Sequence, residues 1–203
     1  MADISCSDLD DQLVRCAAAN DVAGIANLLA RGANPLHRDS FALSMAAAQG
    51  HDQCLRLLIP ASEPKAGFSL ALRWAAQNGH AECVRLLIPA SNPNILNSKP
   101  LRVAASRGHV ECFQPLIPVS SPLIDVKGML GEVLDTGQAG ILAIMLAREP
   151  RFLERINLGA SLDAAVAAGH SELAALWLSL IETQDIDNHL SSAPAFAQKP
   201  SRL

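Results

Sequence analysis

The stretch "HAECVRLLIPASNP", His80 to Pro93, decides the fold, because it is the second of three near-copies. "HDQCLRLLIPASEP" runs from His51 to Pro64 and "HVECFQPLIPVSSP" from His109 to Pro122, so the phrase returns every 29 residues. Between Ser40–Lys65 and Ser69–Asn94, 16 of 26 positions are identical. Self-similarity at such a period is the mark of stacked supersecondary units that cannot bury their apolar faces singly.

Working outward from His80, each unit reads as two short helices. "SLALRWAAQ", Ser69 to Gln77, opens on an N-cap candidate, a serine whose hydroxyl accepts an amide of its own first turn, and Ser40 and Ser98 recur at that place. Leu72, Ala75 and Ala76 make an apolar stripe at i, i+3, i+4, and Gly79 ends the helix in the left-handed conformation. The second helix, "AECVRLLI", turns Cys83, Val84, Leu86 and Leu87 inward. Pro89 then disfavours helical geometry at Ile88 and stops the helix. Extending the register both ways yields six units, 10–38, 39–67, 68–96, 97–125, 126–157 and 158–190, within an array at 10–190. A flexible segment at 1–9 precedes it, and a disordered tail at 191–203 follows, poor in periodicity and rich in small, polar and Pro residues.

The fourth and fifth units depart from the pattern. Pro115 stands inside a second helix, and Glu132 occupies a position held by Met45, Trp74 and Val103 elsewhere. The junction of these units reads as the weakest of the stack, and Trp74 and Trp177 read as core.

Composition narrows the function. Half of the 203 residues are hydrophobic but only 3% are aromatic, a bias toward close helix packing. The net charge is −4 without a basic run, which argues against nucleic acid. No apolar run nears the ~20 residues of a membrane span, and the acidic start "MADISCSDLDDQ" lacks the apolar core of a signal peptide. Five cysteines without a C-x-x-C pair suit free thiols in a reducing compartment. Cys54, Cys83 and Cys112 read as small buried hydrophobes, and His51, His80, His109 and His170 as turn residues bonding backbone, since a catalytic residue does not recur four times. "DIDNH", Asp185 to His189, is an acidic stretch read as a solvated loop or frayed helix end. No convergent metal-ligand set, phosphate loop or nucleophile elbow is legible, so no metal, cofactor or catalysis is expected.

"KPLRVAASRGHVECFQPLI", Lys99 to Ile117, resembles the ankyrin repeat through Pro100-Leu101, Ala104-Ala105, Gly108-His109 and the aliphatic second helix. The units are four residues shorter than the usual 33 of that family. Only "RGANP", Arg31 to Pro35, keeps something like its hairpin turn, and the short "LLIP" endings are similar to ankyrin arrays of bacterial proteins. The resemblance implies an all-α, ankyrin-like helical solenoid of about six helix-turn-helix units with shortened finger loops. It also implies a non-catalytic protein-protein interaction scaffold, cytoplasmic, that binds a partner protein through its concave face. Two alternatives accompany this: a self-associating homo-oligomer, and a bacterial effector translocated into a host cell. The expected partner-binding residues are Gln49, Arg73, Gln77, Asn78, Arg102, Ser106 and Arg107 on the first helices and Lys65, Asn94 and Lys99 on the loops, with Phe68 and Asn97 beside them. Arg73, Arg102 and Arg107 are the expected charged anchors, suited to an acidic segment.

Overall fold

The computed structural model describes residues 6–120, 126–148 and 157–192. Its elements are helices in pairs: α1 (Cys6–Ala18) and α2 (Val22–Ala30); α3 (His37–Gln49) and α4 (Asp52–Leu58); α5 (Ala66–Asn78) and α6 (Ala81–Leu87); α7 (Ile95–Ser106) and α8 (Val110–Leu116); α9 (Val126–Asp135) and α10 (Ala139–Arg148); α11 (Leu158–Ala167) and α12 (Ser171–Ser192). No strand occurs among the described residues. There is about one pair per expected repeat, but α1 begins at Cys6, inside the segment expected to be flexible, and α12 ends at Ser192, inside the expected tail. Residues 193–203 of the tail lie outside the described residues, as do the side chains of Asp185–His189, whose backbone belongs to α12.

The chain divides into two compact units, Met1–Ile141 and Leu142–Leu203, the division falling inside the fifth repeat. In the second unit α11 packs on α12 around Leu158, Ala165, Leu173 and the fully buried Trp177. In the first unit the first helices form one layer, α1 on α3, α3 on α5, α5 on α7 and α7 on α9, and the second helices form another, α2 on α4, α4 on α6 and α6 on α8. The buried stripe of α5 is Ala71, Leu72, Ala75 and Ala76, and α3 repeats it with Ala42, Leu43, Ala46 and Ala47. Alanines at these places let backbones approach closely, while each buried leucine contributes roughly 1.5–3 kcal/mol.

The second helices bury Cys54, Leu55 and Leu58, then Cys83, Val84 and Leu87, then Cys112, Phe113 and Leu116. Leu86 is only half-buried, against the expectation, and its counterparts Leu57 and Pro115 also stand at the margin. A helix of seven residues has one inward face, and the row of Leu57, Leu86 and Pro115 lies off it. That is why Pro115 is accommodated, at the second-last residue of α8, where its ring displaces no core side chain.

The Ile-Pro ending also acts differently from the expectation. Ile59, Ile88 and Ile117 keep right-handed helical dihedrals, φ −52, −49 and −54°. The chain tightens through Pro60 and Pro118 into 3₁₀ turns at Ile59–Ala61 and Ile117–Val119, near whose start a missing N–H costs little. The proline therefore changes the pitch first, and the chain becomes extended only at Ser62 and Ser120.

The largest correction concerns the serines. Near the start of α3, α5 and α7 lies one left-handed turn: Arg38, Asp39 and Ser40; Gly67, Phe68 and Ser69; Leu96, Asn97 and Ser98, all with φ between 50 and 59°. The amide of each serine closes the turn on the carbonyl four residues back, of Leu36, Lys65 or Asn94. The hydroxyls of Ser40 and Ser69 reach past their own first turn. Ser40 Oγ accepts the amide of Glu63 at 2.9 Å, and Ser69 Oγ the amide of Asn92 at 3.0 Å, each 23 residues on, in the loop that ends the same repeat. Ser98 Oγ donates to Asn94 Oδ1 at 3.3 Å. These turns stand where the shortened units lack a finger.

A left-handed residue with a side chain costs roughly 1–2 kcal/mol, partly offset by the entropy that glycine loses on folding. The second repeat carries Gly67 where the third has Leu96, half exposed. Leu96→Gly should therefore raise stability by roughly 0.5–1 kcal/mol, read as a higher urea midpoint. In an ordinary right-handed helix the same change would lower it by about 1 kcal/mol.

Candidate functional site

The recurring histidines tie each repeat to the one before. His51 Nε2 lies 3.1 Å from the Ala18 carbonyl, His80 Nε2 3.0 Å from that of Ala48 and His109 Nε2 3.0 Å from that of Gln77. A carbonyl only accepts, so Nε2 carries the proton in all three. Each acceptor is at or beside the C-terminal turn of a first helix, where carbonyls lack intrahelical partners. The ring crosses the turn glycine of the preceding repeat: a Cβ on Gly50 would lie 2.6 Å from His80 Nδ1, and one on Gly79 2.9 Å from His109 Nδ1. In the fifth repeat Gln138 takes the place of the histidine over Gly108. The series is thus structural, as the sequence suggests, but its bonds run between repeats.

The first helices leave one face uncovered by the second-helix layer. On it Gln49, Asn78, Arg107, Lys65, Asn94 and Lys99 are exposed, and Arg73, Gln77, Arg102 and Ser106 half-buried. Several are already engaged. Asn78 Nδ2 donates to the Ala48 carbonyl at 2.7 Å, Ser106 Oγ to that of Val103 at 3.3 Å, and Asn94 Oδ1 accepts from Ser98. Arg102 pairs with Glu132. Glu132 is therefore no defect of the fifth repeat: it anchors α9 to α7 across the junction that the sequence marks as weakest. Gln49, Arg73, Gln77, Arg107, Lys65 and Lys99 make no side-chain hydrogen bond or ion pair within the described residues.

The same face holds residues that sequence reasoning placed elsewhere. Trp74 is half-buried rather than core, and meets Phe41 edge to face, ring centres 6.0 Å apart at 73°. Met45 and Val103, at the equivalent positions, are half-buried too. The signal was present: a row that carries Glu132 in one repeat faces water in the others. At the left-handed turns Leu36, Phe68 and Leu96 are exposed by 54, 66 and 52%.

At the far edge of α1, His37 sits between two carboxylates, Nδ1 3.6 Å from Asp10 and Nε2 3.5 Å from Asp11. Asp10 Oδ1 also accepts the Asn34 amide at 2.6 Å, fixing the loop of the first repeat on α1. Among the described residues no group of three or more His, Cys, Asp or Glu is arranged to hold a metal ion. Cys54, Cys83 and Cys112 are buried and free. Burial, aided by the charges of Asp52 and Glu82, pushes the Cys83 thiol up to about 11. Burial does the same for Cys112, to about 11, against the opposing pull of Arg85. Thiols so held are protonated at neutral pH and poor nucleophiles.

The family described as "Ankyrin repeats (3 copies)" matches residues 13–95 and 43–127, together more than half of the chain. Among solved structures, the chain is similar to the crystal structure of an ankyrin repeat domain from Acinetobacter baumannii AYE, with a TM-score of 0.60 and 22% identity over 82% of this chain and 96% of that one. No curated protein sequence matches. Among the described residues no helix is long and apolar enough to cross a membrane.

Two measurements check the seam. Gly50→Ala combines a left-handed φ of 78° with the imidazole of His80, whereas Gly32→Ala, at φ 88°, has nothing within 4 Å. The first should cost roughly 2–3 kcal/mol and the second about 1 kcal/mol by urea denaturation. The thiols set a pH dependence. An unfolded cysteine ionises near 9.0 and the buried Cys83 and Cys112 near 11, so the unfolded chain loses protons first. Stability from these thiols should be intact below pH 9 and fall as the pH rises towards 11. A Cys83→Ala, Cys112→Ala variant should show a shallower fall.

Proposed function

We propose that this chain, which belongs to the ankyrin repeat family, is a non-catalytic interaction module that holds a partner protein on the concave face of its first helices. Ankyrin repeats are as a class protein–protein interaction modules, and the family is generally non-enzymatic. The observation that carries the reading for this chain is a division of labour between faces. The buried alanines and the histidines are consumed in holding repeats together, and Ser40 and Ser69 in closing the loops of their own repeats. The first-helix face keeps Gln49, Arg73, Gln77, Arg107, Lys65 and Lys99 unspent, beside a half-exposed aromatic pair. Trp and Arg are the residues on which binding energy concentrates. The free thiols support a reducing compartment, and the proposed location is the cytoplasm.

A second reading, self-association, draws on Val166 and Leu178 in the second unit, large apolar side chains exposed by 63 and 49%.

Affinity capture with the wild-type chain and a Gln77→Glu, Arg107→Glu, Trp74→Ala variant tests the first reading. Asn78 is left intact because it holds the Ala48 carbonyl. A partner recovered by the wild type and lost by the variant, with helicity unchanged by circular dichroism, is the expected outcome. A partner recovered equally by both overturns the assignment to this face. Recovery of the chain alone, with a concentration-dependent mass in light scattering that Val166→Lys abolishes, replaces it with self-association.

A further inference from the structure

The first-helix face changes chemistry from one seam to the next. Where the fourth repeat meets the fifth, Arg102 pairs with Glu132, 30 residues on. The same register sets Val103 opposite Arg73, and Trp74 opposite the small, buried Ser44. Three consecutive seams therefore present an aromatic pair, a cation and a neutralised ion pair.

Arg73 is the outlier. Its Nε, like that of Arg102, is buried without a hydrogen-bond partner, so packing holds the inner edge of both guanidiniums. The outer edge of Arg102 is taken by Glu132; Arg73 has no carboxylate within the described residues. A guanidinium stays charged at any physiological pH, and leaving desolvated donors unpaired costs about 1–3 kcal/mol or more. Lys65, Lys99 and Arg107 also stand exposed, although the whole chain carries −4. Arg73 and Trp74 are consecutive residues of α5, while Phe41 stands on the neighbouring α3, and packed helices are about 8–10 Å apart, the reach of about three residues of extended chain.

Resting on the interaction-module reading, we infer that the partner presents an acidic, apolar segment: an Asp or Glu carboxylate on Arg73, and a large apolar side chain, about three residues away in extended chain, against Phe41 and Trp74. The chain contains its own model of the first contact in Glu132 on Arg102. The guanidinium of Arg73 is presented in the same register with its planar edge free, so the carboxylate meets a pre-oriented fork rather than a mobile cation.

The test is selection of short randomised peptides displayed against the full chain, followed by affinity measurement on synthetic copies of those enriched. Peptides carrying Asp or Glu with Phe, Leu or Trp about three residues away are expected. Their affinity should fall about tenfold or more in Arg73→Gln and in Trp74→Ala. A second variant leaves Arg73 in place: Val103→Glu puts a carboxylate in the register of Glu132, where it should occupy Arg73 internally and cause a similar loss. Enriched peptides without acidic residues, or acidic ones indifferent to both Arg73→Gln and Val103→Glu, overturn the inference. If such peptides still lose binding in Trp74→Ala, the module reading stands and only the carboxylate is wrong. If no substitution on this face matters, the module reading falls with it.

Discussion

The seat of an imidazole on a glycine governs the first unit. With no Cβ at Gly50 or Gly79, the ring of the next histidine lies against the turn and reaches a carbonyl at the end of the preceding first helix. One small contact thus does three things: it closes a first helix, satisfies a terminal acceptor and sets the distance between neighbours. The alanine stripes make sense only at that spacing. Larger residues there would hold the helices apart and lift the histidine off its acceptor, while a longer side chain than alanine brings nothing that the adjoining leucines do not already supply.

On the opposite side of the loop, the serines act as a second set of clasps. Ser40 and Ser69 receive amides of the loop that closes their own repeat, and histidines address carbonyls of the preceding one. Loop amides are thereby served from within the repeat and helix-end carbonyls by the neighbour, which is how short loops avoid leaving polar backbone orphaned. The left-handed turns that place these serines carry backbone strain in Arg38, Asp39, Phe68, Leu96 and Asn97, held by the packed helices on either side.

Much of this was open to reading from residues alone, and what was hidden has a pattern. The period, the helix pairs, the turn glycines and the inward cysteines follow from apolar spacing and from glycine, both local signals. The partners of Ser40 and His80 did not, because a hydroxyl finds its mate at the far end of its repeat and a ring nitrogen across a seam, 23 and 32 residues distant, while sequence spacing favours the nearest candidate. Trp74 was misplaced for a related reason: aligned with Met45 and Val103 it looks apolar, and only Glu132 in the same column betrays a wet surface. The polar half of the face, Gln77, Arg73 and Arg107, was legible as solvent-facing; its aromatic half, and the spending of Asn78 and Arg102 on neighbouring repeats, was not.

The backward reach of the histidine has a consequence for how such a chain changes over time. The second, third and fourth repeats each bring a ring and leave a glycine and a carbonyl for the successor. A whole 29-residue copy, inserted or lost by unequal recombination, would restore every tether at the new junction without a compensating substitution. The near-identity of the second and third repeats is what a duplication of that kind leaves behind. Growth is therefore structurally neutral but not neutral for recognition: a new copy lengthens the row in which Ser44, Arg73 and Arg102 stand, and a later change at one column alters what the surface greets while the scaffold beneath it stays as it was.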